Sequence, residues 1–283
     1  MKAATLIKKS ASYIFLLFIA VVTLFPLFYV VLGSFKTNVE IMAHPEKVFP
    51  LSWTYVNYNT VWNSKTFNVP VLLKNSIYYT VMSVMINIVN STVAAYVFER
   101  GRFRGKTIIY AVFTALMFVH MGSVTAYAAF KILGFLRIPI SLNGLIFTKL
   151  FGIPIVNIML SRSYIKGIPE ELDEAAKIDG CGFVRILIKI YLPLLKPILI
   201  TLFLLAFQTS WNDYLNPAIY TTARPGQRTL MVGLMALKDT SESAASWNLM
   251  LAGTCIALLP VLAVFIIGNK YFVDGLTTGA VKG

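Results

Sequence analysis

"SYIFLLFIAVVTLFPLFYVVLGS", Ser12 to Ser34, contains no charged residue. An α-helix rises 1.5 Å per residue, so about 20 apolar residues are enough to cross the hydrocarbon core of a bilayer. The stretch reads as a membrane-spanning helix. It is too long for a signal-peptide core and no A-x-A-like site follows it, so it is expected to be retained.

The rest of the chain agrees. Of its 283 residues, 57% are hydrophobic and 13% charged, against about 25% charged in a soluble domain. Five more stretches are long enough to span: about Ile77 to Phe98, Ile108 to Phe130, Ser141 to Tyr164, Leu194 to Trp211 and Trp247 to Ile267. The expected fold is all-α, a polytopic membrane protein with six transmembrane helices. Residues 1–283 are expected to form a single transmembrane domain with its core at about 71–275. Pro26, Pro154 and Pro260 fall inside spans and should kink them, which packed neighbouring helices tolerate.

The formal net charge is +13, but no basic run tracks a phosphate backbone, so nucleic acid is not an expected partner. Most of the 25 Lys and Arg instead gather on one side of the predicted topology: Lys2, Lys8 and Lys9; Arg100, Arg102, Arg104 and Lys106; Arg162, Lys166, Lys177, Arg185, Lys189 and Lys196; Lys270 and Lys282. The positive-inside rule makes that side cytoplasmic, and both termini with it. The outer segments run from about Phe35 to Asn75, rich in Pro, Trp and Tyr that suit an interface belt, and from about Asn212 to Ser246, where Pro225-Gly226 marks a turn. Cys181 and Cys255 imply no disulfide framework.

One cytoplasmic stretch breaks the apolar pattern. "EELDEAAKIDG", Glu170 to Gly180, has carboxylates at the positive end of a short helix opened by Pro169. Gly180 and Gly182 are expected to stop it. Helical spacing puts Ile168, Leu172, Ala175 and Ala176 on one face and Glu170, Asp173, Glu174 and Lys177 on another, with Asp173 and Lys177 placed for a surface pair. The alanines keep the apolar face shallow, so a partner can approach closely. A second short helix, "FVRILIKIYLP", precedes Pro193 and the return into the membrane.

Glu174-Ala175-Ala176, Gly180, Ile190 and Leu192-Pro193, at these spacings, resemble the EAA loop of ATP-binding-cassette importer permeases. "SFKTNVEI" (Ser34 to Ile41), "NYNTVW" (Asn57 to Trp62), "NSIYYT" (Asn75 to Thr80), "WNDYLNP" (Trp211 to Pro217) and "YFVDGLTTGAVKG" (Tyr271 to Gly283) are similar to the carbohydrate-uptake permeases of the maltose type, in their shorter, six-span subunit. His120 to Asn143 follows that pattern less closely. The resemblance implies a carbohydrate importer subunit, not an enzyme. It would work with a homologous second permease, two nucleotide-binding ATPase subunits that bind the ATP and Mg, and an extracytoplasmic solute-binding protein. No cofactor is expected in this chain. Residues 166–193 would be the coupling loop, the Pro225-Gly226-Gln227 turn would approach the binding protein, and the tail Thr277 to Gly283 would reach between the ATPase subunits. Importers of polyamine or glycerol phosphate are the alternative within the class. A secondary transporter would need buried carboxylates or inverted repeats, and Asp213 is the only carboxylate near a span.

Other signals are weaker. "GRFRGKT", Gly101 to Thr107, is one residue short of a phosphate-binding G-x-x-x-x-G-K-[ST] loop and follows no strand. No metal-ligand spacing is present. His120 is read as a pore-lining or packing group, and Lys149 either snorkels outward or faces a water-filled cavity. Gln208, Trp211 and Asn212 pair amides with a ring, as sugar sites do, and form the candidate substrate path; the alternative is interhelical hydrogen bonding, the preferred reading for Asn87 and Asn90.

Overall fold

The computed structural model describes residues 2–64, 67–118, 124–237 and 246–280, in which the regular elements are helices joined by turns and short connections, with no strand among them. In chain order the α-helices are α1 (Lys2–Gly33), α2 (Asn38–Ala43), α3 (Val56–Asn63), α4 (Val69–Arg100), α5 (Lys106–Leu116), α6 (Val124–Phe135), α7 (Leu142–Lys149), α8 (Ile155–Lys166), α9 (Glu171–Ile178), α10 (Phe183–Ile186), α11 (Leu192–Leu194), α12 (Lys196–Trp211), α13 (Leu215–Thr221), α14 (Leu230–Ala236) and α15 (Trp247–Ala280). A π-helical turn, Leu187–Tyr191, joins α10 to α11, and a 3-10 turn covers Pro225–Gln227.

Among the described residues three helices are each long and apolar enough to cross a bilayer: Ser12–Gly33 within α1, α4, and Trp247–Gly268 within α15. The other expected spans are composite. The third falls on α5 and α6, and His120 between them lies outside the described residues. The fourth divides into α7 and α8: Pro154 does not kink one helix but precedes the first residue of a new one, because it has no N–H to continue a helical ladder. The fifth, α12, meets the preceding Phe183–Leu194 segment at 82°. Pro193 and Pro197 sit in the first turns of α11 and α12, where a missing N–H costs least.

The chain comprises two compact units. In the first, Met1–Pro70 with Gly233–Pro260, α1 is apolar on all sides, and Phe15, Phe18, Phe25 and Phe28 are exposed, as suits a helix surrounded by lipid. The segment after it, from Ser34 to Asn63, is an ordered fold in its own right. Asn57 is buried and donates to the carbonyls of Ser34 and Lys36 at 2.7 and 2.8 Å while accepting from Asn248 at 2.7 Å. Phe35 gathers Trp53, Tyr55 and Tyr58 around it.

The second unit, Val71–Val232 with Val261–Gly283, holds two apolar cores. Ala95, Tyr96, Ile165, Ala176, Ile186, Leu187, Tyr191 and Leu195 form one, beneath the acidic helix. Tyr79, Leu133, Leu142, Leu145, Ile146 and Tyr220 form the other. Of the tail, α15 continues to Ala280, and residues 281–283 lie outside the described residues.

Candidate functional site

The acidic helix α9 forms where expected and ends on a Schellman motif. Gly180 adopts φ +75°, Cys181 N–H donates to Ala176 carbonyl at 2.9 Å, and Gly180 N–H donates to Lys177 carbonyl at 3.0 Å. Only glycine takes that φ without a side-chain penalty. Cys181 then packs on the core, so the turn is fixed at both ends.

The faces of α9 differ from the sequence expectation. Asp173 and Ala176 point inward and are buried, while Glu171, Leu172, Glu174, Ala175 and Ile178 face out, with Ile178 87% exposed. Asp173 does not pair with Lys177 on the surface. It accepts a hydrogen bond from the Tyr191 hydroxyl at 2.5 Å and lies 3.2 Å from Arg100 Nε. The reason is a cation from a distant helix. Arg100, the last residue of α4, donates through Nε to the Tyr191 hydroxyl at 2.7 Å and through Nη1 to Glu170 at 2.6 Å. Its Nη2 donates to the carbonyls of Ile165 and Ile168. Glu170 likewise leaves the predicted polar face to pair with Arg100, though it stays exposed.

The side chains of Arg100 and Asp173 are only 7% and 8% exposed. Removing two charges from water is costly unless the pair is close and its remaining donors are met. Here they are, because one guanidinium joins the end of α4, the end of α8, α9 and the π-helical turn. Burial, and then the Asp173 carboxylate, raise the Tyr191 hydroxyl above its ordinary range, so it stays protonated and donates. Nearby, Arg162 donates to Glu99 at 2.7 Å and covers the Tyr110 ring at 3.9 Å, a second link between α8 and α4.

The other loop residues support this arrangement. Ile190 packs against the core beneath α9, Leu192 is half-buried, and Pro193 is exposed at the start of α11. Motif spacing found Gly180 and the two alanines. Arg100 and Tyr191 could not be found that way, since nothing local links Arg100 to residue 173.

A second polar site lies farther along α4. A cavity of about 460 Å³ is lined by residues of α4, α7, the α7–α8 connection, α12 and α13. Lys149 lies on its wall, 3.9 Å from Asp213 Oδ2 and 5.0 Å from the centre of the Tyr79 ring. Its choice between snorkelling outward and facing a cavity is thereby resolved. Asp213 accepts from the Tyr79 hydroxyl at 2.5 Å and from the backbone and side chain of Asn216 at 3.1–3.2 Å. Asn90 donates to the carbonyls of Leu150 and Gly152, each at 3.1 Å, and so closes the C-terminus of α7. Asn157 donates to Asn87 at 2.5 Å. For both asparagines, the expected interhelical bonds are present.

The candidate path residues do not form this wall. Trp211 is buried and stacks on Phe207 at 5.7 Å, while Gln208 and Asn212 are exposed on another side of α12. Thr209, Ser210 and Asp213, offset along the same helix end, line the cavity instead. The Pro225–Gln227 turn is anchored: Asn75 donates to the carbonyls of Gly226 and Arg228 at 2.9 Å, and Gln227 Oε1 accepts from Leu142 N–H at 3.1 Å. Pro225 and Gly226 remain exposed at its tip.

Among the described residues no group of His, Cys, Asp and Glu is arranged to hold a metal, and "GRFRGKT" follows a helix rather than a strand. Residues 3–276 match the family described as binding-protein-dependent transport system inner membrane component. The chain is 35% identical to the probable starch degradation products transport system permease protein AmyC of Thermoanaerobacterium thermosulfurigenes, over 91% of each sequence. It is 32% identical to the inner membrane ABC transporter permease protein YcjP of Escherichia coli (strain K12), over 93% of this chain and 92% of that one. Its fold matches a chain in the crystal structure of a bacterial ABC transporter involved in the import of the acidic polysaccharide alginate, with a TM-score of 0.80 and 23% identity over 94% of this chain and 96% of that chain. The chain is a membrane protein, and it belongs to the binding-protein-dependent transport system inner membrane component family.

Proposed function

We propose that this chain is a carbohydrate permease of an ATP-driven importer, with α9 as the helix on which an ATPase subunit docks. The observation that carries the reading is the two-sided build of α9. Asp173 and Ala176 hold it to the permease, while Glu174, Ala175, Leu172 and Ile178 are left for a partner. An isolated protein gains nothing from an Ile that is 87% exposed on a polar loop; a docked one buries it.

In this reading Glu174 enters a groove of the ATPase opposite a cation, Ala175 permits the close approach, and Gly180 turns the chain away. Ile190, Leu192 and Pro193 set the return into α12. Closure of two ATPase subunits on ATP would pull α9, and Arg100 would transmit the displacement to α4. A homologous permease completes the pathway, and an extracytoplasmic binding protein delivers solute near Pro225, Gly226 and Gln227. Both termini then lie in the cytoplasm, a placement that the distribution of Lys and Arg supports. Residues 1–283 serve as one permease domain, and the tail Thr277 to Gly283 reaches between the ATPase subunits. Its relative AmyC is a probable permease for starch degradation products, and that likeness, with the amides and hydroxyls beside Lys149 and Asp213, supports a sugar as solute.

The test is reconstitution of the chain with its second permease, ATPase subunits and binding protein in liposomes. Oligosaccharide uptake should require ATP and survive an uncoupler. Uptake that persists without ATP and collapses with the uncoupler would instead establish secondary transport.

A further inference from the structure

The 460 Å³ cavity beside Lys149 falls within the range of about 300–1,000 Å³ typical of small-molecule sites. Its hydrogen-bonding groups are unevenly used. Asp213 has its oxygens occupied by Tyr79 and Asn216. Lys149 has three N–H donors, and its contacts to Asp213 and the Tyr79 ring, at 3.9 and 5.0 Å, are both longer than a hydrogen bond. The Ser83 hydroxyl, only 3% exposed, lies closed off behind the same wall beside Tyr79 and is not open to the cavity. Asn87 spends its carbonyl oxygen on Asn157 and keeps its amide protons; Asn90 spends its amide protons on α7 and keeps its oxygen. The cavity thus retains both donors and acceptors.

Its charges, by contrast, balance. Among the described residues Lys149 and Asp213 are the only ionisable groups on its wall, and they cancel. An anionic or cationic solute would bring a charge that the wall leaves uncompensated. A neutral polyol brings hydroxyls that both donate and accept, which matches what is left unspent.

We propose that this cavity, built within this single chain, is a binding site for a neutral sugar, in which the Lys149 ammonium bonds sugar oxygens. The proposal rests on the carbohydrate reading above. It adds that this subunit holds solute itself, at a place other than Gln208, Trp211 and Asn212.

The experiment is saturation-transfer NMR on the full transporter in nanodiscs, without the binding protein, using maltose, cellobiose and arabinobiose as neutral probes and digalacturonate as the acidic one. At least one neutral probe should bind and digalacturonate should not. Lys149→Gln should weaken the neutral sugar about tenfold, by loss of a charged hydrogen-bond donor. Asp213→Asn, which leaves the Lys149 charge unpaired, should favour digalacturonate over its binding to the native protein. If Lys149→Gln fails to insert, Lys149→Met, which brings no polar head into the membrane, carries the same test with a loss of about tenfold. Binding of digalacturonate alone, binding of none of the four, or neutral-sugar binding unchanged in Lys149→Gln and Lys149→Met would overturn the site. ATP-driven sugar uptake by the same preparation would then show that the importer reading stands without it.

Discussion

Two clusters of charge are tied to α4, and they are built in opposite ways. At its C-terminal end, Arg100 makes bonds through Nε, Nη1 and Nη2 that close on Asp173, Tyr191, Glu170 and two carbonyls. Along its length, Lys149 stands 3.9 Å from Asp213 with donors to spare. A saturated network fixes several elements in one geometry, and its members cannot move apart without stranding a charge. An unsaturated one leaves groups for a visitor. The first suits a joint that carries force, the second a place where a solute pauses.

The largest expected effect tests the saturated cluster. Asp173→Ala leaves Arg100 buried beside a lost partner, and breaking such a pair costs about 3–5 kcal/mol. The permease should lose thermal stability, and protease should cleave within residues 166–193. Arg100→Lys should lose stability too, because an ammonium cannot reach the five acceptors that the planar fork holds. A variant of either kind with native stability would show that the joint is not saturated in the membrane.

The two adjacent alanines sharpen the comparison. Ala176 is 5% exposed and packed in the core, so Ala176→Leu should destabilise the permease by about 1–3 kcal/mol through overpacking. Ala175 is exposed, so Ala175→Leu should leave permease melting unchanged and reduce only the retention of ATPase subunits. Equal melting curves for the two variants would remove the distinction between the faces of α9.

Gly180→Ala places a side chain at φ +75° and should cost about 1–2 kcal/mol, read as a lower melting temperature. The smallest effect is at Glu171, which is exposed. Glu171→Gln should change assembly by less than about 1 kcal/mol, measured as the ATPase concentration needed for half-saturation.

Sequence reasoning reached the helical class, the membrane, the acidic helix and its glycine stop, because each depends on local pattern. Charge-free length marks α1, and Gly180 is legible because α9 has to end there. It did not reach the orientation of α9. Asp173 looks like a surface residue among its neighbours, and it turns inward only because Arg100, from another helix, needs a counter-charge. The breaks had the same origin: a span containing Pro154 reads as kinked, but an intact helix there would have needed an N–H that proline lacks. On α12, side chains in the Gln208–Asp213 stretch differ by one turn position in which side they face, and composition cannot say which side meets the cavity. Lys149 was legible as a residue that must avoid lipid, but not Asp213 as its neighbour.

The most direct test of the account compares adjacent carboxylates. Glu174→Lys and Asp173→Asn would each be copurified with the ATPase subunits, and both the retained ATPase and the melting temperature of the permease measured. Glu174, exposed on α9, should act on docking alone: Glu174→Lys should lose ATPase retention by an amount equivalent to about 2–5 kcal/mol with native melting. Asp173→Asn should lower melting before anything else. A Glu174→Lys complex that keeps its ATPase subunits and activity would contradict the claim that α9 is anchored by one face and docks by the other.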